Sequence, residues 1–135
     1  AKATYYVPVG WTRDEQKTVD PASGAYVEPK CSKTGIFMNQ VYDETTYEDV
    51  INAFIEREKS YSEDPDNLDI TIRELQTDGG TFPIIVKKEG DIVTSYIVFI
   101  KSLYENHLEF VCNASDYNDY MINVIDNIFS SYRII

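Results

Sequence analysis

The stretch of this 135-residue chain that most restricts its fold is Ile92 to Lys101, IVTSYIVFIK. Tyr96, Val98 and Ile100 alternate with Ile97 and Phe99, so a strand here is apolar on both faces and needs cover on both. A partner follows at His107 to Asn113, with Leu108, Phe110 and Cys112 on one face and Glu109 and Val111 on the other. The two runs predict an antiparallel pair joined by a turn at Leu103 to Asn106. A hairpin alone cannot hold that much apolar surface in water. One cover comes next in sequence, where Tyr117, Met121, Val124, Ile125, Ile128, Phe129 and Tyr132 recur at three- and four-residue spacing. That spacing predicts a helix over Tyr117 to Arg133.

A second cover lies upstream. Thr45 to Glu48 reads as a T-x-x-E capping box, and Tyr47, Val50, Ile51, Phe54, Ile55, Glu58 and Tyr61 follow at helical spacing. They predict a helix from Thr46 to Ser60 whose other face, Glu48, Asp49, Asn52, Glu56, Arg57 and Lys59, meets solvent. Ahead of it, Thr4 to Trp11 reads as an edge or first strand stopped by Pro8 and Gly10, with Trp11 at the corner. Thr12 to Gly24 reads as a loop leading into Ala25 to Glu28, and Gly35 to Tyr42 as a strand. Behind the helix, the acidic connector Ser62 to Asp69 leads to a strand marked by Ile70, Ile72 and Leu75. Asp78-Gly79-Gly80 turns it into Phe82 to Lys88, and Glu89-Gly90-Asp91 turns that into Ile92. Strands grouped between helices with hairpin-length turns predict an α+β domain spanning residues 1–135, a mainly antiparallel sheet flanked by helices.

Charge narrows the partners. Twelve basic residues against twenty-three acidic ones leave a net charge of −11, which repels phosphate backbones and anionic bilayers and excludes free nucleic acid. A neutral or cationic macromolecule, or a metal ion, fits better. No run approaches the roughly 18 to 20 apolar residues of a spanning helix. The chain opens on Ala rather than Met, which points to a natural N-terminus further upstream with a targeting or lipid signal, hence an extracellular or cell-surface location. Cys31 and Cys112 lack metal-ligand spacing and are too few for a disulfide framework; both read as small buried side chains that are not joined.

In this order the chain resembles the PsbP-like family, the α-β-α sandwich shared by extrinsic photosystem proteins, Ran-binding Mog-type proteins and bacterial secreted or lipid-anchored proteins. YYVPVGW resembles that family's opening strand, Pro, Gly and Trp; TTYEDVINAFIE stands where its first helix follows the early strands; DYNDYMINVIDNIFSSYRI resembles its closing helix. The resemblance spans nearly the whole chain and implies a non-catalytic domain that binds a protein partner. It transfers no functional residue, because none of these motifs carries chemistry.

The residues themselves carry little chemistry. One histidine, His107, flanked by Glu105 and Glu109, reads as a solvated residue beside the hairpin turn, with metal binding or titration as the alternative. Asp64, Asp66, Asn67 and Asp69 are the densest oxygen cluster, yet the spacing is not that of an EF-hand, so a solvated acidic loop is favoured over a cation site. Asn113-Ala114-Ser115 matches a glycosylation acceptor, but Ser115 or Asp116 reads better as the cap of the last helix. No nucleophile elbow or phosphate loop is present, so no catalytic, cofactor or metal residue is assigned. Eleven tyrosines remain; Tyr5, Tyr26, Tyr42, Tyr61 and Tyr104 fall near strand ends, where exposed aromatics would form a docking surface. The sequence therefore points to a non-enzymatic binding or scaffolding module. A calcium-dependent carbohydrate-binding domain, or an enzyme with a carboxylate site, is the alternative.

Overall fold

A computed structural model describes residues 3–6, 12–13, 26–27, 33–42, 44–101 and 104–134, with side chains placed for 5–6, 41–42, 44–100 and 104–133. Four strands come first: β1 (Ala3–Thr4), β2 (Thr12–Arg13), β3 (Tyr26–Val27) and β4 (Lys33–Gln40). Then follow α1 (Tyr47–Tyr61), β5 (Leu68–Thr77), β6 (Gly80–Glu89), β7 (Ile92–Lys101), β8 (Tyr104–Asn113), α2 (Asp119–Ser131) and β9 (Arg133–Ile134). Among the described residues seven strands form one sheet in the order β2-β3-β4-β8-β7-β6-β5, and every pairing in it is antiparallel. Strands β1 and β9 pair separately, bringing Ala3 to Ile134 and Thr4 to Arg133.

The two-sided strand lies at the centre, as its pattern demands. Ile97 and Phe99 of β7 join Ile84, Val86, Leu108, Phe110 and Cys112 under Ile125, Ile128, Phe129 and Tyr132 of the α2 segment. Tyr96, Val98 and Ile100 face the other way and pack with Ile85 under Val50 and Phe54 of α1. A helix on each face of one antiparallel sheet is the α+β, PsbP-like sandwich that the sequence predicts. Full burial of side chains such as Phe129, Ile97 and Val98 contributes roughly 1.5–3 kcal/mol apiece.

Local signals set the joints, with some departures from the spacing rules. The cap of α1 is Thr46, not Thr45: its hydroxyl accepts from Asp49 N at 3.2 Å, and Asp49 accepts from Thr46 N at 3.0 Å. Thr45 instead accepts from Tyr42 N. Those reciprocal bonds hold the Asp49 carboxyl below its usual range. The last helix starts at Asn118, whose side chain accepts from Met121 N at 2.9 Å; Ala114 to Asp116 form a 3-10 turn, so neither Ser115 nor Asp116 is the cap. Gly90 sits at φ +59° in the two-residue link between β6 and β7, a left-handed geometry that glycine adopts without penalty. The second hairpin is tighter than predicted, since Tyr104, Glu105 and Asn106 are strand residues opposite Lys101, Ile100 and Phe99. Trp11, Cys31 and most of the predicted 4–11 strand lie outside the described residues, as does the side chain of Tyr26.

Candidate functional site

The sheet has two unlike ends. At one end, Glu89 meets Ile92 through the tight Gly90-Asp91 link, α1 finishes and α2 begins. Glu58 reaches Lys87 at 3.0 Å and Ser62 donates to Glu89 at 2.6 Å, so helix and sheet are tied there. Towards the opposite end, the open end, the β6–β7 ladder stops short at Pro83. This residue pairs with Glu74 on β5 but has no N–H for a ladder on its other side, and the β6–β7 pairing stops at Ile84↔Ile97. The β5–β6 hairpin runs on alone to Thr77↔Gly80. The Ile100 N–H at this end goes to the Tyr47 hydroxyl at 3.1 Å, which also pins the start of α1.

A cleft of about 420 Å³ occupies this end, lined by Thr77, Asp78, Gly79, Phe82, Phe99, Tyr132 and Arg133. Its apolar wall is a run of rings: Phe82 and Phe99 stand 4.3 Å apart between centroids, and Phe99 and Tyr132 stand 5.0 Å apart. Its polar groups are partly spent on local structure. Thr77 Oγ1 accepts from Gly79 N and donates to Gly80 O, while Arg133 Nη1 donates to the carbonyls of Ser130 and Tyr132. Burial, reinforced by Tyr5, pushes the Tyr132 phenol up to about 12. Its hydroxyl is buried with no hydrogen-bond partner among the described residues. This arrangement can stack and clamp a side chain; it pairs no nucleophile with a base.

Exposed aromatics surround the same end. Tyr104, 45% exposed, opens β8 opposite Gln40, the last residue of β4, and Tyr42, 80% exposed, follows two residues later. Tyr6, 80% exposed, is fixed by its N–H to Ser131 Oγ at 2.8 Å, at the end of α2. The strand-end tyrosines do not all gather here: Tyr61 and Tyr120 are exposed at the opposite end, and Tyr5 packs partly buried against the α2-side core. The sequence could have disclosed the cleft through Pro83, the one residue of FPIIVKK that a central strand cannot use on both sides.

His107 is not a solvated turn residue. It is 4% exposed, opposite Val98 on β7 and Phe37 on β4, with the rings of Phe54 and Tyr96 each 6.5 Å away. Its Nε2 lies 3.6 Å from Glu105 Oε2 and has no hydrogen-bond partner among the described residues. Burial first, and then the charge of Glu109, raises the Tyr96 phenol beside it. These polar groups lie buried beneath α1. Asp64, Asp66, Asn67 and Asp69 are all exposed; Asn67 Nδ2 donates to Asp64 across the short Pro65–Asn67 turn. Among the described residues no three His, Cys, Asp or Glu side chains converge as metal ligands. No described helix is long and apolar enough to cross a membrane.

No sequence profile of a known protein family matches the chain, and no curated protein matches it. Among solved structures, the solution structure of cyanobacterial PsbP from Synechocystis is similar over 100% of this chain and 94% of its own, with a TM-score of 0.66 and 12% identity. At that identity the likeness is one of fold, and it agrees with the sandwich described above.

Proposed function

We propose that this chain is a single-domain, non-catalytic binding or scaffolding module that docks on a protein or cell-surface partner outside the cytoplasm. The observation that carries this reading is the open end. Beside the stop in the β6–β7 ladder lies a cleft walled by Phe82, Phe99 and Tyr132, and Tyr6, Tyr42 and Tyr104 stand exposed at the same end of the sheet. Tyrosines that are fixed at the backbone and exposed at the ring lose little entropy on association, which makes them good contact residues. The one histidine is enclosed in the core, so the acid–base group most useful near neutral pH is withheld from this surface. The likeness to cyanobacterial PsbP is one of fold; the accessory role and the location follow the resemblance of the sequence to the PsbP-like family.

The test is co-purification of a tagged chain from its source cells. The parent and a Tyr61→Ser, Tyr120→Ser variant should recover the same partner, and Tyr42→Ser, Tyr104→Ser should lose it while folding normally. Equal recovery by both double variants would refute the assignment of the open end.

A further inference from the structure

The sheet ends on one side in a long strand, β5, that pairs on one side only among the described residues. Strand β5 has ten residues in unbroken register with β6, from Leu68↔Glu89 to Thr77↔Gly80, without a bulge. Among the described residues no strand pairs with its outer side. Natural edges of this length are protected by proline, by charges and especially lysine, or by a bulge; LDITIRELQT has no proline, lysine or bulge, its charges are Asp69, Arg73 and Glu74, and Ile72 is 44% exposed. Its backbone is a template for one more strand.

Charge says which strand. Within β5 and its flanking turns stand Glu63, Asp64, Asp66, Asp69, Glu74 and Asp78, all exposed. Against them stands Arg73, whose guanidinium is engaged by Asp126 of α2 at 2.7 Å. Of the lysines of β6, Lys88 stands opposite Asp69 and Lys87 is committed to Glu58, which leaves Glu74 and the flanking carboxylates without a cross-strand lysine. A second copy of this chain would bring the same acidic edge and another net charge of −11 against the first. We propose that β5 is a β-augmentation site that takes an extended, basic peptide segment of a partner protein as an eighth strand. Main-chain hydrogen bonds supply the register, and Lys or Arg side chains of the guest meet Asp69, Glu74 and the acidic flanks. This surface meets the tyrosine-bearing end only at Thr77 and Asp78, and variants at Ile72 and at Tyr42 with Tyr104 test the two assignments apart.

The test titrates labelled protein with a blocked ten-residue peptide alternating Lys and Val, followed by amide chemical shifts and hydrogen exchange. Saturable shifts and new protection at the amides of β5 are expected. Ile72→Lys, which places a charge on the edge at an exposed position, should weaken binding by roughly tenfold or more. Glu56→Lys, an exposed position on α1 that changes the charge by two units where Ile72→Lys changes it by one, controls for charge, and Tyr42→Ser with Tyr104→Ser controls for the open end; both should stay within about threefold of the parent. A Glu-Val peptide and a Lys-Val peptide interrupted by a central proline should not bind. Shifts scattered over the acidic surface and reduced equally by Glu56→Lys would overturn the proposal, as would peptide-independent dimerisation through β5.

Discussion

Val98→Asp tests the two-sided core where it is deepest. Val98 is 0% exposed, packs with Ile85, Tyr96, Val50 and Phe54, and stands opposite His107 of β8. Losing the burial of an isopropyl group costs about 2 kcal/mol. The new carboxyl must then either stay charged in the core, with the His107 imidazole opposite it on β8, or take a proton; neutralising an ordinary aspartate at pH 7 costs about 4 kcal/mol, at 1.36 kcal/mol per unit. The sum, about 6 kcal/mol, is comparable with the whole stability of a natural domain, roughly 5–15 kcal/mol. At about 3 °C per kcal/mol for a chain of this size, the melting temperature should drop by about 20 °C, or the protein should not fold. Ile92→Asp, on the same strand but 42% exposed at its outer end, should stay within about 1 kcal/mol of the parent. Thermal and urea unfolding followed by circular dichroism would measure both. If Val98→Asp melts within about 3 °C of the parent, Val98 is not covered on both sides and the centre of the sheet has been misplaced.

Thr46→Ala should cost about 1 kcal/mol in urea unfolding and Thr45→Ala clearly less, because Thr46 and not Thr45 closes the capping box on α1. Acid should erode the same cap: the Asp49 carboxyl is held below its usual range, so its stabilisation is complete above that range and is lost as pH falls through the lowered value, a loss that Thr46→Ala should blunt. Alkali acts on the buried phenol of Tyr132, raised to about 12: its contribution is complete below pH 10 and disappears as pH rises towards 12, and Tyr132→Phe should flatten that decline in a phenolate-absorbance and unfolding titration. The Cys112 thiol, 1% exposed among Val93, Phe110 and Ile125, should resist thiol reagents until the protein is denatured, when counting two thiols without reductant would show that Cys31 and Cys112 are not joined.

Periodicity made the layered architecture legible, because each signal was local and strong. IVTSYIVFIK could satisfy its two apolar faces only at the centre of a covered sheet, and the Ile125, Ile128, Phe129 spacing could serve only as a cover. Long-range choices were less visible. The pairing of Ala3–Thr4 with Arg133–Ile134 joins the two ends of the sequence and leaves no local pattern. His107 misled because its polar neighbours suggested a turn, whereas the strand starts three residues earlier and carries the imidazole beneath Phe54. The helix caps slipped by one to three residues because Thr45 and Thr46, like Ser115, Asp116 and Asn118, are all chemically able to cap, and packing selects among them. The stop in the β6–β7 ladder falls at Pro83, legible as a strand-breaking residue but not as the flank of a cleft until its register beside β7 is known.

The claim that this chain works by docking through its open end is tested most directly by placing a photo-crosslinking amino acid, one at a time, at Tyr6, Tyr42, Tyr104, Tyr61 and Tyr120 in source cells. All five positions are exposed, so none should disturb the fold. Crosslinks to one common partner from Tyr42 and Tyr104, and from Tyr6 at the rim, with none from Tyr61 or Tyr120, are the predicted result. A partner captured only from Tyr61 and Tyr120, or no crosslink from Tyr42 and Tyr104, would contradict it.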